Sequence, residues 1–414
     1  MKEQLLANIN NPTALEQLYR KDKEGFSKAF EAIYPTQPQN ANLQFWQIRL
    51  HYKEEKMNIG NNGTIVLLLL LVLVAGLIAN ISNIPGINKE LFFTRNTAFI
   101  IIPFLSMYYI WKQALTTKMK TGILFVYVLL AAYVNYLPNN ASSSSLNLIY
   151  IHLPLLLWFI LGFSYLGHEF SNNEKRINYL KLNGDFLIMC GIILLSCFLF
   201  TGVTMGLFDL IGIKIEQFYF QYIAIWAIGA VPLLANYLID HNPQIINKVS
   251  PIIAKIFTPL AFINLLIYLG TLIYTAKYPH NDRNLLLIYN ALLVGVLALI
   301  FFSIAETGKG KRNYFSTLLL LGLSVLTIII NGIAVWAICF RIAEWGFTPN
   351  RFAVLGGNII IFVNLIMVSA QLLKSMKNDA AEIKVENAIA KYLPVYAIWT
   401  AIVVFVLPIL FHWK

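Results

Sequence analysis

Eleven long apolar runs alternate with short polar segments along this chain. They fall at 64–81, 97–111, 122–137, 148–167, 186–208, 218–239, 256–275, 284–305, 314–340, 352–373 and 393–411. Most approach the roughly 20 residues a helix needs to cross ~30 Å of hydrocarbon; the second is short and the ninth is long enough to tilt or project. Their apolarity is continuous, whereas a barrel strand would alternate over ~10 residues. In lipid the backbone must satisfy its own polar groups, so each run predicts a helix.

Composition agrees with that pattern. Hydrophobic residues make up 58% and charged residues 12%, with a mean hydropathy of +0.65. The charged share is about half that of a soluble domain. The predicted fold is an all-α polytopic transmembrane bundle of about eleven spans over residues 61–414, preceded by a helical cytoplasmic or interfacial tail over 1–60.

In the tail, Asn11-Pro12 reads as a helix start, with Asn as cap and Pro in the first turn. Leu15, Leu18 and Tyr19 form one apolar stripe, and Phe26, Phe30 and Ile33 form another, before Pro35 and Pro38. A third helix over 42–56 carries Leu43, Trp46 and Leu50, and also Phe45, Ile48 and Tyr52, so two of its faces are apolar. This predicts a helix lying along the inner membrane interface or on the inner ends of the spans, with Trp46 at headgroup level. The rival expectation is a docking site for a cytosolic protein partner.

Basic residues set the direction of the spans. With the N-terminus inside, 23 of the 31 Lys and Arg fall on the inner side and 8 on the outer. Without the two tails, the inner loops still hold 15 against 7. The expected topology is N-terminus cytoplasmic and C-terminus outside, in a bacterial cytoplasmic (inner) membrane contacting anionic lipid. The net charge of +11 is spread along loops rather than gathered in a basic stripe, so nucleic acid is not an expected partner. The first 60 residues are polar and do not read as a cleavable signal peptide.

Little in the sequence points to catalysis. Cys190, Cys197 and Cys339 lie in apolar runs without CxxC spacing and read as packing residues. His152 has no second ligand at helical spacing. Gly308-Lys309-Gly310-Lys311-Arg312 lacks the Ser or Thr of a phosphate loop and reads as an inner loop. No cofactor, metal or catalytic residue is expected, and an enzyme is not.

No Asp, Glu, Lys or Arg falls within the runs as bounded above, although Asp209 and Glu306 lie just past their edges. That argues against a proton- or voltage-driven machine. The prominent polar residues are amides: Asn236, Asn264, Asn290, Asn331, Asn358 and Asn364. They read as interhelical hydrogen-bond glue or, more sharply, as a polar path lined by Asn290, Asn331, Asn358 and Asn364. Pro103, Pro154, Pro232, Pro259 and Pro408 should kink their helices, and Gly202-Val203-Thr204-Met205-Gly206 should permit close helix contact.

One loop differs from the rest. Residues 341–351 place Arg341, Glu344, Trp345, Thr348, Asn350 and Arg351 at the outer membrane face. Thr348-Pro349 predicts a capped helix start. Arg351 then stands at the third helical position, where the helix dipole does not favour a cation. Glu344 is the nearest anion in sequence to offset it, and Arg341 and Glu344 are spaced to pair. These residues are either a salt-bridged turn or a ligand site for an anion or lipid headgroup.

The stretch Arg341-Ile-x-Glu344-Trp345-Gly346-x-Thr348-Pro349-Asn350-Arg351, the segment Trp46-x-x-Arg49-Leu50 and the multi-span layout resemble an uncharacterised bacterial membrane family, domain of unknown function 4153. The resemblance covers spans one to ten, and the 341–351 motif is its most specific part. It implies a bacterial cytoplasmic-membrane protein of unassigned activity and transfers no catalytic residue. The expected function is binding or transport of a small anionic or lipid ligand. The alternative is a regulatory or scaffolding subunit that recruits a partner through its tail.

Overall fold

The computed structural model describes residues 1–50, 61–113, 115–140, 142–210, 214–275, 283–307, 314–376 and 382–413. The basic loop 308–312, the end of the third tail helix and Lys414 lie outside these residues. Among the described residues every regular element is helical. The chain divides into two compact units, Met1–Ile59 and Gly60–Lys414.

The first unit contains α1 (Lys2–Ala7), α2 (Pro12–Lys21), α3 (Lys23–Ile33) and α4 (Ala41–Leu50). Asn11 caps α2 as its sequence predicts, accepting from the Ala14 amide at 3.1 Å. Leu5, Leu15, Phe26, Phe30, Ile33, Leu43 and Trp46 converge into one core. The expected headgroup position of Trp46 is therefore corrected. Its indole is only 2% exposed, lies 4.6 Å from the Phe26 ring and is covered by the Arg49 guanidinium. The other apolar face of α4 remains open, with Phe45 58% and Ile48 69% exposed.

The second unit comprises α5 (Asn62–Asn80), α6 (Lys89–Lys112), α7 (Thr117–Tyr136), α8 (Ser144–Leu166), α9 (Asn173–Leu210), α10 (Glu216–His241), α11 (Pro243–Thr275), α12 (Arg283–Thr307), α13 (Tyr314–Trp345), α14 (Pro349–Ser375) and α15 (382–410). Ten of these are long and apolar enough to cross a membrane, and the described apolar part of α12, Asn290–Glu306, occupies the eighth predicted run. The chain is thus an all-α, multi-pass membrane protein.

The helices begin earlier or end later than the runs that predicted them. The second run spans 15 residues, yet α6 spans 24 because the helix begins at a capped polar turn, Asn88 accepting from the Leu91 amide at 3.0 Å. Hydropathy marks where lipid begins, whereas capping marks where the helix begins.

Local irregularities have identifiable partners. In α15 a π turn at Ile402–Val406 precedes Pro408, whose missing N–H orphans the Val404 carbonyl. Tyr133 Oη donates to that carbonyl at 3.2 Å. Gly356 leaves the space occupied by the Trp399 indole, and Gly184 leaves the space occupied by the Phe302 ring. Gly202, by contrast, has no neighbour among the described residues where a Cβ would stand, so the expected close contact is not made at that glycine.

Candidate functional site

The turn at 341–351 is built as the sequence suggests at its helix start and differently at its charges. Gly346 takes a left-handed φ of +76° just after α13, a conformation that glycine adopts readily. Thr348 is extended and its Oγ1 accepts from the Arg351 amide at 3.3 Å, with Pro349 opening α14. Asn350 Nδ2 donates to Ser144 Oγ at 3.1 Å, tying the start of α14 to the start of α8.

Arg351 does not turn to an anion. Its Nη1 reaches back to the carbonyls of Trp345 and Gly346, at 2.8 and 2.6 Å. Those are orphan acceptors at the end of α13, where a cation is favourable. The conflict at the start of α14 is thus resolved by the neighbouring helix end. Glu344 is exposed and forms no ion pair among the described residues, so the expected Arg341–Glu344 pair is absent.

Both guanidinium groups instead lie against one indole. The guanidinium carbons of Arg341 and Arg351 stand 5.4 and 5.8 Å from the Trp345 ring. Arg341 Nη1 is buried and has no hydrogen-bond partner among the described residues. Trp345 and Phe347 are 54% and 64% exposed. The turn therefore presents two cations that no acidic group among the described residues neutralises, beside exposed aromatic surface.

Three of the four path amides come together. Asn358 Nδ2 donates to Asn290 Oδ1 and Asn331 Nδ2 donates to the Asn358 carbonyl, both at 3.0 Å. This ladder joins α12, α13 and α14, with Asn331 and Asn358 buried. Asn364 stands apart and accepts from Tyr396 Oη at 3.4 Å. Asn331 Oδ1 and Asn364 Nδ2 are buried without partners among the described residues. Asn236 pairs with Tyr109 at 2.5 Å, and Asn264 is exposed.

Sequence reading missed the buried charges. Arg95, 9% exposed, donates to the carbonyls of Asn135, Leu137 and Pro138 at the end of α7 and to Tyr150 Oη. Asp185 and Glu306 are 4% and 8% exposed, and Lys181 bonds Glu306 across α9 and α12. Asp240 holds Lys112 and accepts from Tyr108 at 2.6 Å. Arg95, Asp185 and Glu306 each sit outside an apolar run yet are buried in the extension of a helix. The i, i+4 spacing of Lys181 and Asp185 was the available signal.

The three cysteines are free, and His152 bonds its own helix through the Leu148 carbonyl at 2.9 Å. Two cavities stand out, one of about 330 Å³ beside Arg95 and Tyr150, the other beside Tyr133 and Phe405. Both are mainly apolar, and neither is lined by the path amides. No family model, curated protein or solved structure matches this chain.

Proposed function

We propose that this multi-pass membrane protein binds a small anionic ligand, a lipid phosphate headgroup being the best chemical fit, at the turn between α13 and α14. The observation carrying this reading is the pair of guanidinium groups on Trp345 that, among the described residues, have no acidic partner and leave one buried Arg341 nitrogen unbonded. Phosphate oxygens match a guanidinium fork, and exposed Trp and Phe suit the boundary of a bilayer. The reading places the turn on the outer face of a bacterial cytoplasmic membrane, in a non-enzymatic protein of the uncharacterised family that the 341–351 motif resembles. Movement of the ligand across the bilayer would require the Asn290–Asn358–Asn331 ladder to open.

The test is native mass spectrometry of the purified full-length protein with phosphatidylglycerol or phosphatidylcholine. Wild type should retain the anionic lipid preferentially, and Arg341→Ala should weaken that retention about tenfold, the worth of one charged hydrogen bond. Equal retention of both lipids, or an unchanged Arg341→Ala/Arg351→Ala protein, refutes the reading.

The scaffolding alternative has its own observation, the exposed Phe45 and Ile48 face of α4. Apolar residues exposed together on one helix face are a candidate contact surface. A cytosolic protein captured by wild type and lost with Phe45→Ser/Ile48→Ser would favour recruitment through the tail.

A further inference from the structure

Lys181, Asp185, Ser250 and Glu306 meet where α9, α11 and α12 pass from polar flank to apolar run. Lys181 and Asp185 are four residues apart and therefore share one face of α9. Lys181 Nζ lies 3.2 Å from Glu306 Oε1, and Ser250 Oγ donates to Asp185 Oδ1 at 2.5 Å. Gly184 fixes the approach of the helices, since the Phe302 ring occupies the place of its missing Cβ, one turn before Glu306. Farther along the same seam, Thr258 and Ser303 join α11 to α12 through their hydroxyls at 2.9 Å.

Two features are unusual for a packed helix junction. Among the described residues two carboxylates face one ammonium, leaving a formal charge of −1 where charges are costly to bury. The Glu306 side chain is only 3% exposed, and its Oε2 has no hydrogen-bond partner among the described residues. A buried acceptor without a donor, inside a group one positive charge short, calls for a small cation. A proton fits without any further coordinating atom. Lys181 is 31% exposed and marks the way in.

We propose that these four residues form a proton-binding site, with Glu306 Oε2 as the atom that receives the proton. A hydronium ion transfers its proton to the Glu306 carboxylate and leaves as water, so one O–H bond breaks and one forms. The neutral carboxyl no longer holds Lys181, whose ammonium can turn to Asp185 on its own helix face. Proton occupancy thereby changes what joins α9 to α12. Among the described residues the ionisable groups that act electrically on Glu306 are Lys181 and Asp185 of α9. From α11 the cluster receives the Ser250 hydroxyl. The site is independent of the 341–351 turn and could stand if that turn binds nothing.

Infrared difference spectroscopy of the full-length protein in lipid, stepped through pH, tests the assignment. Wild type should show a carboxylic C=O band that rises as pH falls and shifts in heavy water. The band should be lost in Glu306→Gln and should persist in Asp185→Asn. Lys181→Met should move its midpoint to higher pH by about one unit or more, because an opposing charge has gone. A band that survives Glu306→Gln, or the absence of any titrating band in wild type, overturns the proposal. Should Glu306→Gln fail to fold, the Lys181→Met midpoint decides, and a shift to lower pH or none overturns it.

Discussion

The Lys181–Glu306 contact can be weighed by a double-mutant cycle. At 3.2 Å and an effective dielectric of ~20, the Coulombic attraction is about 5 kcal/mol. Lys181 is nearly one-third exposed, so solvent screening leaves roughly half of that. Lys181→Met would strand a buried carboxylate and should destabilise the protein by about 3 kcal/mol, near the low end for breaking a buried pair. Lys181→Met/Glu306→Gln removes both charges and should recover most of that loss, giving a coupling of about 2 kcal/mol. Reversible unfolding in mixed micelles at neutral pH, followed by circular dichroism, measures each corner of the cycle. If the two single substitutions add to within about 0.5 kcal/mol, the charges do not interact across α9 and α12, and the reasoning fails.

Other outcomes follow from particular contacts. Trp46→Ala should cost the tail unit about 3–5 kcal/mol, much of what a unit of that size has, so its protease sites should open while the membrane unit stays resistant. The Glu16 carboxyl is held below its usual range by hydrogen bonds from Arg20 and then from Arg49, so the tail's stability should be complete above the unfolded carboxylate range and fall as pH drops through the lowered value. Arg49→Met should reduce that acid sensitivity in a melting series from pH 7 to pH 2; an identical pH profile would refute it. Phe347→Cys should react with a membrane-impermeant maleimide added to intact cells, and labelling only after lysis would reverse the N-in topology.

The candidate site was legible only in part. Thr348-Pro349 gave away its helix cap because capping is local, settled by residues three apart. The destination of the Arg351 side chain was not legible, since the nearest anion in sequence was Glu344 and the acceptors it found were carbonyls at the end of α13. Trp46 misled for a similar reason. An aromatic residue on a helix with two apolar faces could bury either face, and the position of Phe26 decided the matter.

Solvent preference is written residue by residue, and that is why the eleven apolar stretches and their helical character could be read from the chain alone. Which polar side chains meet inside the bundle depends on how each helix is rotated and how far it extends past its apolar stretch. Arg95, Asp185 and Glu306 lie in those extensions and are buried by neighbours distant in sequence. Packing geometry, which spacing along one chain does not encode, made them interior charges and left Glu306 an oxygen without a partner among the described residues.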